Sequence, residues 1–435
     1  MDNIEADVGL SRFLTDTPGI GGRLKVGADD FLVEEVPLAF PPAEKDGKYT
    51  VARVRAREWE TNRLVGEIAK RLGVHRESIY FAGTKDKRAI TTQYLAVPAP
   101  EAAVQGLNLG DVEILDTRRV DRAPKIGELV GNRFVVRVRD CEVGVDEALT
   151  RAQATLDQLE VAGGFPNFFG VQRFGTTRPI THVVGQHLLR GDLPAAVKAY
   201  AGTPGRYDNE ASNAARELFD EGQYQAAAQA YPRPLDFERR IAAQLAKAPD
   251  DWAAALDTLP ANLRTMFVYA EQSRLFNQAL AARLDAGHGL NEPLVGDLVA
   301  EVDADGRAQR GRMHAVTTRN LARVEALCRR GRALVTGGLI GYESPFSGGP
   351  MGDFERVALD SAGLTPDDYR VPSYPKVASR GTRRELLAPL GPVNATRGSD
   401  EVGDFVELSF FLLKGSYATC LLREVMKADN VAAYA

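Results

Sequence analysis

The texture of the chain changes twice along its length, and that change limits its fold more than any single motif does. Strand-like runs dominate the first part. Phe31-Leu-Val is a short strand candidate, Tyr49–Arg55 alternates at period two, and Phe134–Val138 is rich in β-branched residues. Between these runs, Thr61 is placed to cap a helix whose Leu64, Val65, Ile68 and Leu72 fall at helical spacing and which stops at Gly73; a strand over Ile79–Ala82 follows. Asp146 is placed to cap a second helix through Leu149, Ala152, Leu156 and Leu159, ended by Gly163 and Gly164. From Ala211 to Ala282 alanine enrichment predicts mostly helix. The strand texture returns at Asp404–Leu413, and Ser416 is placed to cap a last helix carrying Leu421, Leu422 and Val425. A mixed body that is interrupted and then resumed predicts an α+β domain with a second, helix-rich α+β domain inserted into it. The boundaries fall near residues 190 and 385, giving 1–190 plus 385–435 as one domain and 191–384 as the insert.

Composition bounds the function. No run of eighteen apolar residues occurs, and the first twenty residues hold acids and no apolar stretch, so neither a membrane span nor a signal peptide is expected and the cytoplasm is the expected compartment. Three cysteines, far apart, argue against a disulfide framework or a cysteine-rich zinc site. The net charge of -5 would ordinarily speak against a nucleic-acid partner, but the charge is segregated. Arg53–Arg88 holds ten bases against five acids, Arg118–Arg139 seven against two, and Gly306–Arg332 eight against one. Such segments are either solvated arginine faces or surfaces for a polyanion.

Several chemistries lack their motifs. There is no phosphate-binding G-x-x-x-x-G-K-[ST], no G-x-G-x-x-G, no G-x-S-x-G and no H-E-x-x-H, and no two of the five histidines are spaced to share a helix face, so no metal site and no nucleotide cofactor are expected. Two polar clusters remain. Phe81–Gln93 leaves a strand, turns at Gly83 and sets Asp86 between Lys85 and Lys87; neighbouring cations favour the charged carboxylate, which suits a nucleophile or an electrostatic stabiliser, although the same residues also make a good solvated turn. Gly163–Gly175 gathers Phe165, Phe168, Phe169 and Phe174 around Asn167, Gln172 and Arg173, a set able to stack on a base and bond its edge, or to fill a buried loop. A third stretch, Gln272–Asn277, lies on a long predicted helix where Leu275, Phe276 and Leu280 face a core that Gln272 and Asn277 buttress.

These segments resemble, in order, the motifs of the archaeal TruD family of tRNA pseudouridine synthases. The matching residues are Gly83-Thr-Lys-Asp-Lys with Thr91-Thr-Gln93, Asn167-Phe-Phe-Gly-Val-Gln-Arg-Phe-Gly175, Gln272-Ser-Arg-Leu-Phe-Asn277, and Lys414-Gly-Ser-Tyr-Ala-Thr with Leu422-Arg-Glu424. Asp29-Asp-Phe-Leu-Val-Glu34 resembles a further family segment, with Ala28 where proline is commoner. The resemblance implies a pseudouridine synthase catalytic domain with a mixed, largely antiparallel sheet, an inserted TRUD-type domain, a tRNA substrate and no cofactor. It implies isomerisation of a uridine to pseudouridine, at uridine 13 of the D arm, through one essential aspartate.

Carried over residue by residue, Asp86 matches the catalytic aspartate and Phe169 the aromatic packed against the target base. Asn167 would orient the loop or the uracil edge, Arg173 lies in the same base-binding loop, Lys85 and Lys25 would contact phosphate or tune Asp86, and Arg423 would pair with Asp86. A phenyl ring cannot take the C5 proton, so that base is unassigned. The arginines of the insert, Arg307 to Arg332, would grip RNA as a second jaw. The competing class is a catalytically silent RNA-binding or tRNA-folding protein on the same fold. A methyltransferase would need a glycine-rich βα turn that is not evident.

Overall fold

The computed structural model describes residues 4–40, 47–175, 178–205 and 208–434. The chain divides into two compact units, one comprising Thr15–Phe165 with Ala388–Ala435, the other Met1–Leu14 with Pro166–Leu387. The segment from Pro166 to Arg190, placed by sequence with the outer domain, clusters with the second of these units. The reason is local: the helix Thr181–Leu189 lies so close to the long helix Ala261–Asp285 that a Cβ added at Gly185 would stand 2.2 Å from the Phe267 carbonyl oxygen.

The outer unit is built on a nine-stranded sheet among the described residues. Its main path runs Asn394–Asp400, Gly403–Leu413, Leu129–Cys141, Phe31–Pro37, Ile90–Val97, Tyr49–Arg57, Val112–Val120, with Gly21–Arg23 and Tyr80–Phe81 paired to its side. Phe31–Pro37 and Ile90–Val97 run parallel; the other pairs are antiparallel, as expected of the fold class. The C-terminal strand lies beside Leu129–Cys141, where Phe410 stacks on Phe134 at 5.2 Å. This explains the return of strand texture so late in the chain. The helix Thr61–Leu72 buries Leu64, Val65, Ile68 and Ala69 in a core shared with Val54, Leu95 and Val97, and ends at Gly73 in the left-handed conformation that glycine adopts without strain.

The caps differ from expectation in an informative way. Glu60, not Thr61, caps the first helix, its carboxylate accepting from the amides of Asn62 and Arg63 at 2.9 Å each. Gly144 precedes the helix Val145–Ala162, and Asp146 instead pairs with Arg397 at 2.7 Å. Tyr417, not Ser416, stands at the cap position of Ala418–Met426.

In the other unit the 25-residue helix Ala261–Asp285 is buried along most of its length. Beside it lies a four-stranded antiparallel sheet ordered Ala308–Ala315, Leu298–Val302, Ala333–Leu339, Thr382–Glu385. Leu275, Phe276 and Leu280 are buried as expected. His182 is buried too, its ring edge-on to Phe174 at 5.5 Å, and burial, aided by the charge of Arg274, pushes its pKa down to about 4. The unfolded chain therefore takes up this proton first. The stability that neutral His182 contributes is complete above its ordinary value of 6.5 and is lost as pH falls towards about 4. The gap in urea midpoint between wild type and His182→Gln is expected to narrow over that window and to stay constant above it.

Candidate active site

Asp86 lies in an irregular segment between the short strand Tyr80–Phe81 and the strand Ile90–Val97. The preceding residue is anchored twice. Because Glu60 has taken over helix capping, the buried Thr61 hydroxyl is available to accept the Lys85 amide at 2.9 Å. The Lys85 ammonium turns inward to Glu35 at 2.6 Å, with side-chain exposures of 4% and 1%. Burial raises the Glu35 carboxyl above its ordinary range, and the charge of Lys85 and its hydrogen bond oppose that rise.

Asp86 itself points the other way: its side chain is 56% exposed and its ion-pair partner is Lys25, at 3.4 Å. So the lysine next to Asp86 in sequence serves Glu35, and the cation that faces the carboxylate comes from 61 residues away. Lys25 is held in turn. It adopts a left-handed φ of 54°, its carbonyl accepts from Arg88 at 3.0 Å, and its ammonium lies 4.5 Å from the centre of the Phe31 ring. A pair open to solvent on its carboxylate side, such as Lys25–Asp86 with side-chain exposures of 11% and 56%, contributes on the order of 1 kcal/mol, whereas breaking a pair buried on both sides, such as Lys85–Glu35, costs about 3–5 kcal/mol. The anchor is thus strong and the carboxylate lightly held, which suits a group that must engage a ligand. Arg423 is buried in the helix Ala418–Met426.

Asn167, Phe169 and Arg173 belong to the other unit. Phe165, Phe168 and Phe174 are fully buried, so much of the aromatic loop is core, and Phe169 keeps 8% exposure. Asn277, with no exposed surface, clamps the Phe169 backbone from the long helix: its side-chain oxygen accepts the Phe169 amide at 2.8 Å and its nitrogen donates to the Phe169 carbonyl at 3.0 Å. The Phe169 ring meets the Phe276 ring edge-on at 5.7 Å and carries the Arg384 guanidinium at 4.2 Å from its centre. Arg384 also donates to the Asn167 carbonyl at 3.0 Å and to its side-chain oxygen at 2.5 Å, while Asn167 donates to the Glu385 and Leu386 carbonyls at 2.9 Å. Asn167 is thus tied to Arg384 and to the chain at Glu385 and Leu386. Arg173 is more distant, 5.8 Å from the Phe169 ring centre, with a long contact to Ser273.

A family profile described as tRNA pseudouridine synthase D (TruD) matches residues 7–425. The chain belongs to the TruD family. It is therefore an enzyme of the isomerase class. A relative from Methanococcoides burtonii, named probable tRNA pseudouridine synthase D, is 37% identical over 98% of both chains. One of the same name from Thermococcus gammatolerans is 38% identical over 96% of this chain and 97% of its own. A crystal structure of a Methanosarcina mazei chain carrying the TruD assignment aligns over 100% of both chains with a TM-score of 0.85 and 33% identity.

Against the TruD motifs, three residues escaped sequence reasoning. Arg384 is one of two consecutive buried arginines on Thr382–Glu385, the last strand of its sheet, and only their position before Leu386-Leu387 hints at burial. Glu35 and Thr61 have no signal in their own neighbourhoods that ties them to Asp86. The basic segments also separate once their partners are known. Many arginines of the outer unit are committed: Arg53 to Glu34, Arg57 to Asp29, Arg122 to Glu128, Arg137 to Glu407, and Arg139 to Asp30 and Asp400. By contrast, Arg319, Arg323, Arg329, Arg330 and Arg332 are exposed and, among the described residues, pair with no acid. Among the described residues no group of three or more His, Cys, Asp or Glu could hold a metal ion, and no helix is long and apolar enough to cross a membrane.

Proposed function

We propose that the chain converts a uridine of tRNA to pseudouridine, at position 13 in the D arm, with Asp86 as the essential carboxylate. The observation that carries this reading is the contrast at residues 85 and 86: a buried, doubly anchored lysine followed by an exposed carboxylate faced by a single lysine. The reaction breaks N1–C1′, forms C5–C1′ and exchanges a proton on C5 for one on N1. Atoms and electrons balance without an oxidant, reductant or co-substrate. Asp86 acts at the reacting nucleotide, Lys25 holds its carboxylate, and Phe169 packs against the base once it is turned out of the tRNA stack, an extrusion costing about a few kcal/mol. Asn167 and Arg384 keep the Phe169 ring in place, and Arg173 supports the same loop. Incubating purified protein with an unmodified tRNA transcript and mapping carbodiimide-dependent reverse-transcription stops tests the reading. A single new stop at uridine 13 supports it; tight binding without any stop would favour a silent RNA-binding protein.

The unpaired arginines around residues 319–332 support a phosphate-contacting surface, since counterion release there adds salt-dependent affinity whatever the net charge of the chain. Replacing Arg329, Arg330 and Arg332 together with Gln is expected to weaken tRNA binding and to flatten the plot of log affinity against log salt by roughly two units. Filter binding across a salt series measures it, and an unchanged slope would remove these residues from the contact.

A further inference from the structure

We infer that Glu35 is a positioning residue for the reaction: through the Lys85 ammonium it fixes the segment that presents Asp86. The inference rests on the reading of Asp86 as the essential carboxylate, and the geometry around residue 85 carries it. Lys85 is tied at both of its ends. Its backbone amide is held by Thr61 and its side-chain terminus by Glu35, and neither partner is accessible to solvent. Thr61 is set by the first turn of the helix Thr61–Leu72, and Glu35 by the strand Phe31–Pro37, whose neighbours across the sheet are Ile90–Val97 and Leu129–Cys141. Two regular elements thus grip one residue of an otherwise irregular segment.

With a buried side chain at residue 85, the next side chain is directed outward, which is where Asp86 meets Lys25. The placement has an electrostatic side as well. An unanchored Lys85 ammonium would be a mobile second cation beside Asp86, competing with Lys25 for the carboxylate. Glu35 removes that competitor by giving it a partner of its own. The arrangement explains why a lysine adjacent to the essential residue is buried at the cost of desolvating two charges: the pair specifies a position, and stability alone would be as well served by two apolar side chains. A functional group held by packing and buried polar contacts keeps its geometry to within about half an ångström, and a displacement of about 1 Å can cost about a hundred-fold in rate.

Glu35→Gln keeps the size of the side chain and removes its charge, and Thr61→Val is isosteric and removes the acceptor for the Lys85 amide. Single-turnover conversion of tRNA, tRNA affinity and melting temperature are measured for both variants, with Asp86→Asn in parallel. Each folded variant is expected to lose about ten- to a hundred-fold in single-turnover rate while its Kd for tRNA stays within about two-fold of wild type. A purely structural role would lower the melting temperature and leave the rate of the folded enzyme alone, and that result overturns the inference. So would a loss that resides in Kd. If Glu35→Gln does not fold, the Thr61→Val rate decides by the same criterion. If Asp86→Asn is inactive while Thr61→Val and Glu35→Gln turn over normally, the positioning role fails and the Asp86 reading stands; if Asp86→Asn itself turns over normally, both fall.

Discussion

Asp86→Asn is expected to abolish pseudouridine formation while leaving the fold and tRNA affinity nearly intact. The amide matches the carboxylate in size and keeps one acceptor oxygen, so a turn residue would tolerate it, and an exposed position away from special features changes stability by within about 0.5 kcal/mol. The ion pair it loses, to Lys25, is open to solvent on the Asp86 side and worth on the order of 1 kcal/mol, while the anchors on Lys85 are untouched. A nucleophile or charge stabiliser cannot survive the change. Melting temperature and tRNA Kd on the same preparation separate the two outcomes, since only a reacting group combines a normal fold and normal binding with no product.

The second large effect is expected at Phe169. Stacking of an aromatic ring on a base is worth about 1–3 kcal/mol, so Phe169→Ala should lose about ten- to a hundred-fold in conversion and much less in affinity for the whole tRNA. The ring is also mostly buried, and removing it leaves a cavity beside Phe276 and Arg384 that costs about 3–5 kcal/mol of stability. Phe169→Leu resolves the ambiguity, because it refills most of that volume without restoring a π face. Conversion in Phe169→Leu is expected to stay close to that of Phe169→Ala, with a melting temperature close to wild type. Full conversion by the leucine variant would return the loop to a core-packing role.

The parts of the fold written in local chemistry were legible. Gly73 and Gly163 end their helices in left-handed conformations, as their positions after apolar repeats implied, and the late strand at Asp404–Leu413 announced the return of the outer unit. Capping was not, because several residues near a helix start can accept the same amides and tertiary partners decide among them. Glu60 has two amides within reach, which released Thr61 for Lys85; Asp146 found Arg397, more than two hundred residues away in sequence. The division near Pro166 was missed for a related reason. Thr181–Leu189 reads as an ordinary helix, and only its close packing at Gly185 assigns it to the long helix of the insert.

The candidate site follows the same rule. Asp86 and Phe169 stand out because polar and aromatic residues cluster around them in sequence, but proximity along the chain points to Lys85 for the carboxylate, and of the two lysines named for it only the distant one faces it. Lys85 is next to Asp86 and serves Glu35; Lys25 is far away and faces Asp86. Arg384 reaches Phe169 from a strand more than two hundred residues later, through pairings that no spacing rule records.

Rearrangement of uridine through Asp86 is read out by release of tritium from tRNA labelled at uracil C5, because that hydrogen leaves only when C5 becomes bonded to C1′. With enzyme in excess over labelled transcript, wild type is expected to release one equivalent of tritium per target uridine, and Asp86→Asn, bound to the same transcript with comparable affinity, none. Release by Asp86→Asn at a rate near that of wild type would show that Asp86 is not the essential carboxylate.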